Sequence, residues 1–223
     1  MLGKIRYLIQ KTSRDGKLSQ FYEEFERPVR VLDVGVLSLK SHKNSLTANY
    51  FLKTFRYPAE YYTGLAVEDM VGMADSYPGK RFVTYDGKIF PFENDSFDAV
   101  FCNAVIEHVG DENDQTQFLN EMMRVAKVVY FTTPNKWFPV ETHTNVLFRH
   151  WSDDSFYAWC AKYRSNYSKR NLNLLGYADV RRILDKSGAG AWTIVKNRLL
   201  GWTMTFSVWC TSDKTRWSGR SLN

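Results

Sequence analysis

The chain has 223 residues, of which 44% are hydrophobic and 24% are charged, a composition that excludes a largely disordered chain and favours one well-packed domain over two. Its net charge of +6 is spread out, without a compact block of basic residues interleaved with aromatics, so we expect no nucleic-acid partner and at most weak contact with a membrane surface. No apolar run suits a signal peptide or a membrane span, and three cysteines without CxxC spacing fit a reducing cytoplasm.

Residues 1–26 form a basic segment that we predict to be helical, and residues 27–223 form the main domain. From residue 27 onward, short β-rich runs alternate with helix-like stretches, which is typical of βαβ units and a parallel sheet. The predicted helices cover residues 68–76, 114–126 and 177–186. The predicted strands cover residues 29–33, 61–67, 81–85, 97–102, 128–132, 192–197 and 203–210, the last two forming an antiparallel hairpin at the sheet edge.

An insert at about residues 136–175 interrupts this alternation. Residues 136–169 contain nine aromatics in 34 positions. Aromatic residues at the carboxyl end of a central strand can be ordinary packing, or they can form the wall and lid of a substrate pocket. We expect the lid, because position and composition both favour it.

Polar residues and glycines follow three of the predicted strands, where ligands bind in an open α/β sheet. Asp33 and Gly35 follow the first strand, and a glycine there lets the backbone approach a ligand. Leu37 stands where a GxGxxG fingerprint would have its second glycine, which argues against a nicotinamide dinucleotide site. After the third strand, Asp86 is suited to accept a hydrogen bond from an exocyclic amine, and Gly87 leaves space for a flat ring.

Residues 86–109 read DGKIFPFENDSFDAVFCNAVIEHV, and residues 132–135 read TTPN. Over residues 29–135 the chain resembles class I S-adenosylmethionine-dependent methyltransferases, especially the branch of small-molecule and quinone-biosynthesis enzymes. The resemblance implies an α/β, Rossmann-like fold with helices on both faces of a mostly parallel seven-stranded sheet. The implied strand order is 3-2-1-4-5-7-6, with strand seven antiparallel, and the implied cofactor is S-adenosyl-L-methionine.

The resemblance also implies roles for individual residues. Asp33 and Gly35 would cradle the methionine part of the cofactor. Asp86 would hold the adenine amino group, with Gly87 beside the ring. The backbone of the loop at Asn103 and Ala104 would meet the methionyl amine.

The chain departs from the family pattern at the first two strands. The acid that usually grips the ribose hydroxyls falls at Ala66, so we expect Glu68 or Asp69 to take over that role. The first motif also lacks its second glycine. The long spacing between Asp33 and Ala66 implies an extra loop around residues 38–49.

Histidine is the natural general base for a hydroxyl acceptor, because its free pKa lies near neutrality. His143 follows the fifth strand at the expected pocket mouth, and Glu141 is placed to orient it. His108 is a second candidate, although capping and packing beside the cofactor loop explain it as well. Glu107 and His108 resemble part of a metal motif of some quinone-pathway relatives, but Ala104 stands where those proteins have a further acid. We therefore predict no metal.

The sequence predicts an enzyme that transfers a methyl group to oxygen or nitrogen of a small molecule, such as a sugar, a lipid-linked intermediate or a secondary metabolite. The altered first motif and Ala66 keep a second interpretation open, a cofactor-binding or scaffold protein without activity. A nicotinamide-dependent oxidoreductase is the third interpretation, and the missing glycine fingerprint disfavours it. Oligomeric state is not predicted.

Overall fold

The computed structural model describes residues 2–42, 48–213 and 215. One seven-stranded sheet has the order β3-β2-β1-β4-β5-β7-β6, in which β7 is antiparallel to both neighbours and the other pairs are parallel. This confirms the predicted fold and strand order. The strands are β1 (Val31–Val34), β2 (Tyr62–Ala66), β3 (Arg81–Thr84), β4 (Phe97–Asn103), β5 (Ala126–Pro134), β6 (Ala191–Leu199) and β7 (Trp202–Thr211).

Helices flank the sheet, and no helix in the described part of the chain is long and apolar enough to span a membrane. The α5 helix begins at Glu112 because the Asp111 side chain accepts the N–H groups of Asn113 and Asp114. The helices are α1 (Leu2–Glu24), α2 (Leu39–His42), α3 (Tyr50–Lys53), α4 (Met73–Ser76), α5 (Glu112–Val125), α6 (Asp153–Tyr163) and α7 (Tyr177–Lys186), with single 3-10 turns at Ala59–Tyr61, Ile106–His108 and Arg149–Trp151.

The central strand β4 is buried on both faces, as its continuous apolar run predicts. Its alternate residues point to opposite sides of the sheet. Val100 and Cys102 join the core under α5 and α7, whereas Ala99 and Phe101 join a second core under α1 and α3. The sheet is therefore the middle layer of three.

The α1 helix packs directly on the sheet through Phe21, whose side chain is fully buried. The Phe21 ring meets Phe101 edge-on at 5.4 Å between centroids and stacks on Trp209 at 6.2 Å. The hydroxyl of Tyr130 donates to the backbone oxygen of Lys17 at 3.2 Å. These contacts make α1 an integral part of the second core.

The predicted helix over residues 68–76 is wrong in its first half, since only Met73–Ser76 is helical. The Asp69 carboxylate accepts the N–H of Val71 at 3.0 Å, and the Thr84 hydroxyl donates to the Glu68 carbonyl at 3.1 Å. The first bond is local and offers the backbone an alternative to helical pairing, and the second holds the Glu68 backbone from β3. Gly72, at a φ of +79°, then starts the short helix.

The insert forms its own small core around Phe156, Cys160 and Leu172. It is tied to the end of β4 because the N–H of Asn173 donates to the carbonyl of Glu107 at 2.6 Å. Residues 43–47, within the predicted extra loop, lie outside the described residues.

Candidate functional site

A cavity of about 580 Å³ opens at the carboxyl ends of β1, β2 and β4, the edge where ligands bind in sheets of this kind. It is bounded by α1, by the loops after the three strands and by part of the insert. Seven of the predicted site residues line it: Asp33, Gly35, Glu68, Asn103, Ala104, His108 and His143. Four others, Asp69, Asp86, Gly87 and Glu141, stand outside its lining.

The loops after β1 and β4 touch each other at Gly35 and Val105. Gly35 has a φ of +91°, and a Cβ added there would lie 2.3 Å from Cγ2 of Val105. Only glycine fits both the backbone conformation and this space. Ala104 has a φ of +57°, an uncommon conformation for a residue with a Cβ, and such residues cluster at functional sites.

Asp33 is a buried carboxyl at the floor of the cavity, 7% exposed. The Tyr62 hydroxyl donates to its Oδ2 at 2.5 Å. Burial raises the pKa of Asp33 from its ordinary value near 3.8 to about 7, and the Tyr62 hydrogen bond opposes only part of this shift. Asp33 therefore changes its charge close to neutral pH.

We expect Asp33→Asn to gain stability relative to the wild type as the pH rises from about 4 to about 7. The folded protein retains the Asp33 proton up to about pH 7, whereas the unfolded chain releases it near pH 4. Stability contributed by this group therefore falls across that window, by about 2–4 kcal/mol. Denaturant unfolding of both proteins at pH 4.5 and pH 8 measures the difference, and a difference that does not vary with pH would contradict the assignment.

Glu68 and Asp69 were the two candidates for the missing acid after β2. Glu68 lines the cavity, and its Oε2 accepts the N–H of Ser38 at 2.9 Å. Asp69 is exposed and instead accepts the N–H of Val71. Glu68 is therefore the one of the two that lines the cavity.

Asp86 and Gly87 form a turn behind the cavity wall. The exposed Asp86 carboxylate accepts the N–H of Lys88 at 2.9 Å, a bond that lowers the pKa of Asp86. A Cβ at Gly87 would lie 3.5 Å from Cγ1 of Val67, which itself lines the cavity. The turn therefore lies beside the lining residues Val67 and Tyr85.

At the other end of the cavity, two histidines face each other. Nε2 of His108 lies 3.1 Å from Nε2 of His143. Nδ1 of His143 bonds Oε1 of Glu141 at 2.7 Å, and Nδ1 of His108 bonds the carbonyl of Asn171 at 2.8 Å. Burial alone would lower the pKa of His143, but the hydrogen bond and charge of Glu141 outweigh it and the pKa is raised. Glu141 stands outside the lining, but its carboxylate holds the ring of His143 through this hydrogen bond.

The sequence analysis missed other residues that line the cavity, several of them polar. Lys17 is 6% exposed and donates a hydrogen bond to Oδ1 of Asn103 at 3.3 Å. Burial, and to a smaller extent the charge of Arg14, lowers the pKa of Lys17 to about 8. The signal was present, because positions 14, 17, 18 and 21 share one helical face. The missed polar residues include Arg14, Lys17, Tyr167 from the insert, and Asn49, whose side-chain amide bonds both backbone groups of Leu37.

Comparisons with known proteins agree with this geometry. Residues 45–128 match the sequence profile of the family described as methyltransferase domain. The PH0226 protein from Pyrococcus horikoshii OT3 is 15% identical, with a TM-score of 0.54 over 90% of each chain. A S-adenosylmethionine-dependent methyltransferase from Methanosarcina mazei is 11% identical, with a TM-score of 0.55 over 86% of this chain and 96% of that chain.

The N-terminal domain of EvdMO1, solved in the presence of S-adenosylhomocysteine (SAH) and D-fucose, is 18% identical, with a TM-score of 0.55 over 89% of this chain and 82% of that chain. No curated protein matches the sequence significantly. The comparisons do not single out the quinone-biosynthesis branch. A methyltransferase domain therefore matches residues 45–128, and the sheet order is that of a Rossmann-like methyltransferase fold.

Proposed function

We propose that this methyltransferase uses its cavity to align S-adenosylmethionine with a small-molecule acceptor bound at the His108–His143 end. The contact between the loops of Gly35 and Val105 is the observation that carries the proposal, because it brings the ends of β1 and β4 onto one cavity. Its volume of about 580 Å³ lies within the range of small-molecule sites.

The charges in the cavity support one orientation of the cofactor. Arg14 and Lys17 would face the methionine carboxylate, and the backbone at Ala104 would meet the adjacent amine. Asp33 would balance the positive charge of the methionyl part. Glu68 would bond the ribose, and the adenine would lie along Val67 towards the turn at Asp86 and Gly87.

The acceptor would lie between the cofactor and the insert, with Tyr167 as a wall. Methyl transfer from a sulfonium chiefly requires alignment of nucleophile, methyl and sulfur, which contributes about 7–11 kcal/mol in well-oriented systems. A hydroxyl or amine would be activated where Nε2 of His108 and Nε2 of His143 converge, His143 being held by Glu141. Sugars are the first class to test, because the similar EvdMO1 domain was solved with D-fucose.

Thermal unfolding with cofactors tests the proposal. We expect S-adenosylmethionine and SAH to raise the Tm and NAD to leave it unchanged; a ligand at one hundred times its Kd adds about 2.7 kcal/mol of stability. Sugars and other hydroxylated or amino compounds are then assayed for formation of SAH. A Tm that does not respond to SAH would contradict the cofactor site. A response to SAH without turnover of any acceptor would favour the inactive scaffold.

We further propose that the protein works in the cytoplasm. The free thiols of Cys102, Cys160 and Cys210 support this, because all three are buried and unpaired and disulfides are rare in reducing compartments.

A further inference from the structure

The contact between Nε2 of His108 and Nε2 of His143 requires a positive species between the two atoms. Each ring bonds an oxygen acceptor through Nδ1, the carbonyl of Asn171 in one case and the carboxylate of Glu141 in the other. Nδ1 must therefore carry the proton in each neutral ring, which leaves a lone pair on each Nε2. Two lone pairs 3.1 Å apart repel each other unless a positive species lies between them.

A buried carboxylate points to the same place. Glu107 is fully buried, and its Oε2 accepts from the Thr133 hydroxyl at 3.0 Å. Its Oε1 has no hydrogen-bond partner in the part of the chain that the structure describes, and it lies 3.9 Å from Nε2 of His143. A buried carboxylate oxygen without a hydrogen-bond donor is costly, and a cation bound beside it would offset that cost.

We propose that Glu107, His108 and His143 bind a divalent transition-metal ion at the acceptor end of the cavity. Their ligand atoms all lie within 4.8 Å of one another. Bonds of about 2.0–2.1 Å from two imidazoles to one ion place the nitrogens about 3 Å apart. Two imidazoles with one carboxylate suit Zn²⁺, Fe²⁺, Co²⁺ or Mn²⁺, whereas Mg²⁺ and Ca²⁺ prefer oxygen ligands.

The hydrogen bonds made by Nδ1 of the two histidines are those typical of metal-bound histidines. Such ligands almost always donate their other N–H to a carboxylate or a backbone carbonyl, which fixes the ring and increases its basicity. Glu141 and the Asn171 carbonyl occupy these positions. The sequence predicted no metal because Ala104 lacks a side-chain ligand, but His143 from the insert supplies the third one.

Three protein ligands leave coordination positions open on the ion. The role of the ion in the reaction rests on the proposed function: an acceptor oxygen bound there would become more acidic and would be fixed in place before methyl transfer. Binding of the ion does not depend on that function. The two are therefore measured separately.

Metal titration of the full chain, first stripped with a chelator, tests the site. We expect one Co²⁺ per chain with visible absorption typical of nitrogen ligation, displaced by one Zn²⁺ and not by Mg²⁺. Glu107→Gln and His143→Gln should each weaken Zn²⁺ binding by more than about 100-fold, because each removes a ligand. Glu141→Gln should weaken it by about 10–100-fold, because it only releases the ring of His143. Circular dichroism checks that each variant is folded.

His150→Gln is the matched control, since His150 lies in the insert and bonds the Phe138 carbonyl through Nε2; its Zn²⁺ affinity should equal that of the wild type. The proposal would be overturned if the wild type and His143→Gln had equal Zn²⁺ affinity, or if the wild type bound no Co²⁺. A proton shared between the two histidines would then explain their contact. SAH binding and turnover to SAH, measured in parallel, decide the proposed function independently.

Discussion

Phe21→Ala should lower the free energy of unfolding by about 3–5 kcal/mol, the range for removing a fully buried phenylalanine. Phe21 is 0% exposed, and its ring contacts Phe51, Phe101 and Trp209 from α3, β4 and β7. Its removal would leave a void that no single neighbour can fill. Equilibrium unfolding in urea, followed by tryptophan fluorescence and far-UV circular dichroism, measures the loss.

Leu8→Ala is the control for this substitution. Leu8 lies on the same helix, but its side chain is 62% exposed, so the free energy of unfolding should change by less than about 0.5 kcal/mol. A loss below about 1 kcal/mol for Phe21→Ala would mean that α1 is not part of the core.

Gly35→Ala should weaken SAH binding by at least about 10-fold, or about 1.4 kcal/mol, and should also destabilise the fold. The new Cβ would lie 2.3 Å from Cγ2 of Val105, so the loops after β1 and β4 must move apart. Alanine at a φ of +91° adds backbone strain of about 1–3 kcal/mol. Isothermal titration calorimetry with SAH gives the affinity, and urea unfolding gives the stability.

Two further variants separate the clash from the strain. Gly201→Ala adds a Cβ at a φ of +84° with nothing within 4 Å, so it should destabilise through strain alone and leave SAH affinity unchanged. Combining Gly35→Ala with Val105→Ala removes the clash and should restore part of the affinity. SAH affinity that is unchanged in Gly35→Ala would refute the placement of the cofactor beside this loop.

The sheet was predictable because its signals are local. Continuous apolar runs such as β4, flanked by turn residues, identify buried strands, and the resemblance over residues 86–109 then supplies their order. The part of the cavity at the ends of β1 and β4 follows from the same information, since these two strands are neighbours in such a sheet. Seven predicted residues do line the cavity.

The rest depends on contacts between distant parts of the chain. His143 reaches His108 only because the insert folds back over the end of β4, and no pattern in residues 136–175 encodes that path. Arg14 and Lys17 reach the cavity only because α1 docks on the sheet. The helix predicted from residue 68 failed because Thr84, from the neighbouring strand β3, bonds its backbone.

One face of α1 serves two purposes at once. Phe21 anchors the helix to the sheet, and Lys17 and Arg14, one and two turns earlier, close a side of the cavity. Docking of the helix and completion of the binding site are thus a single equilibrium, so any anion that pairs with these cations also holds the helix in place. Ligand binding and local opening of the amino-terminal segment are then linked: a ligand that requires the docked helix opposes its opening by the same free energy by which opening weakens the ligand.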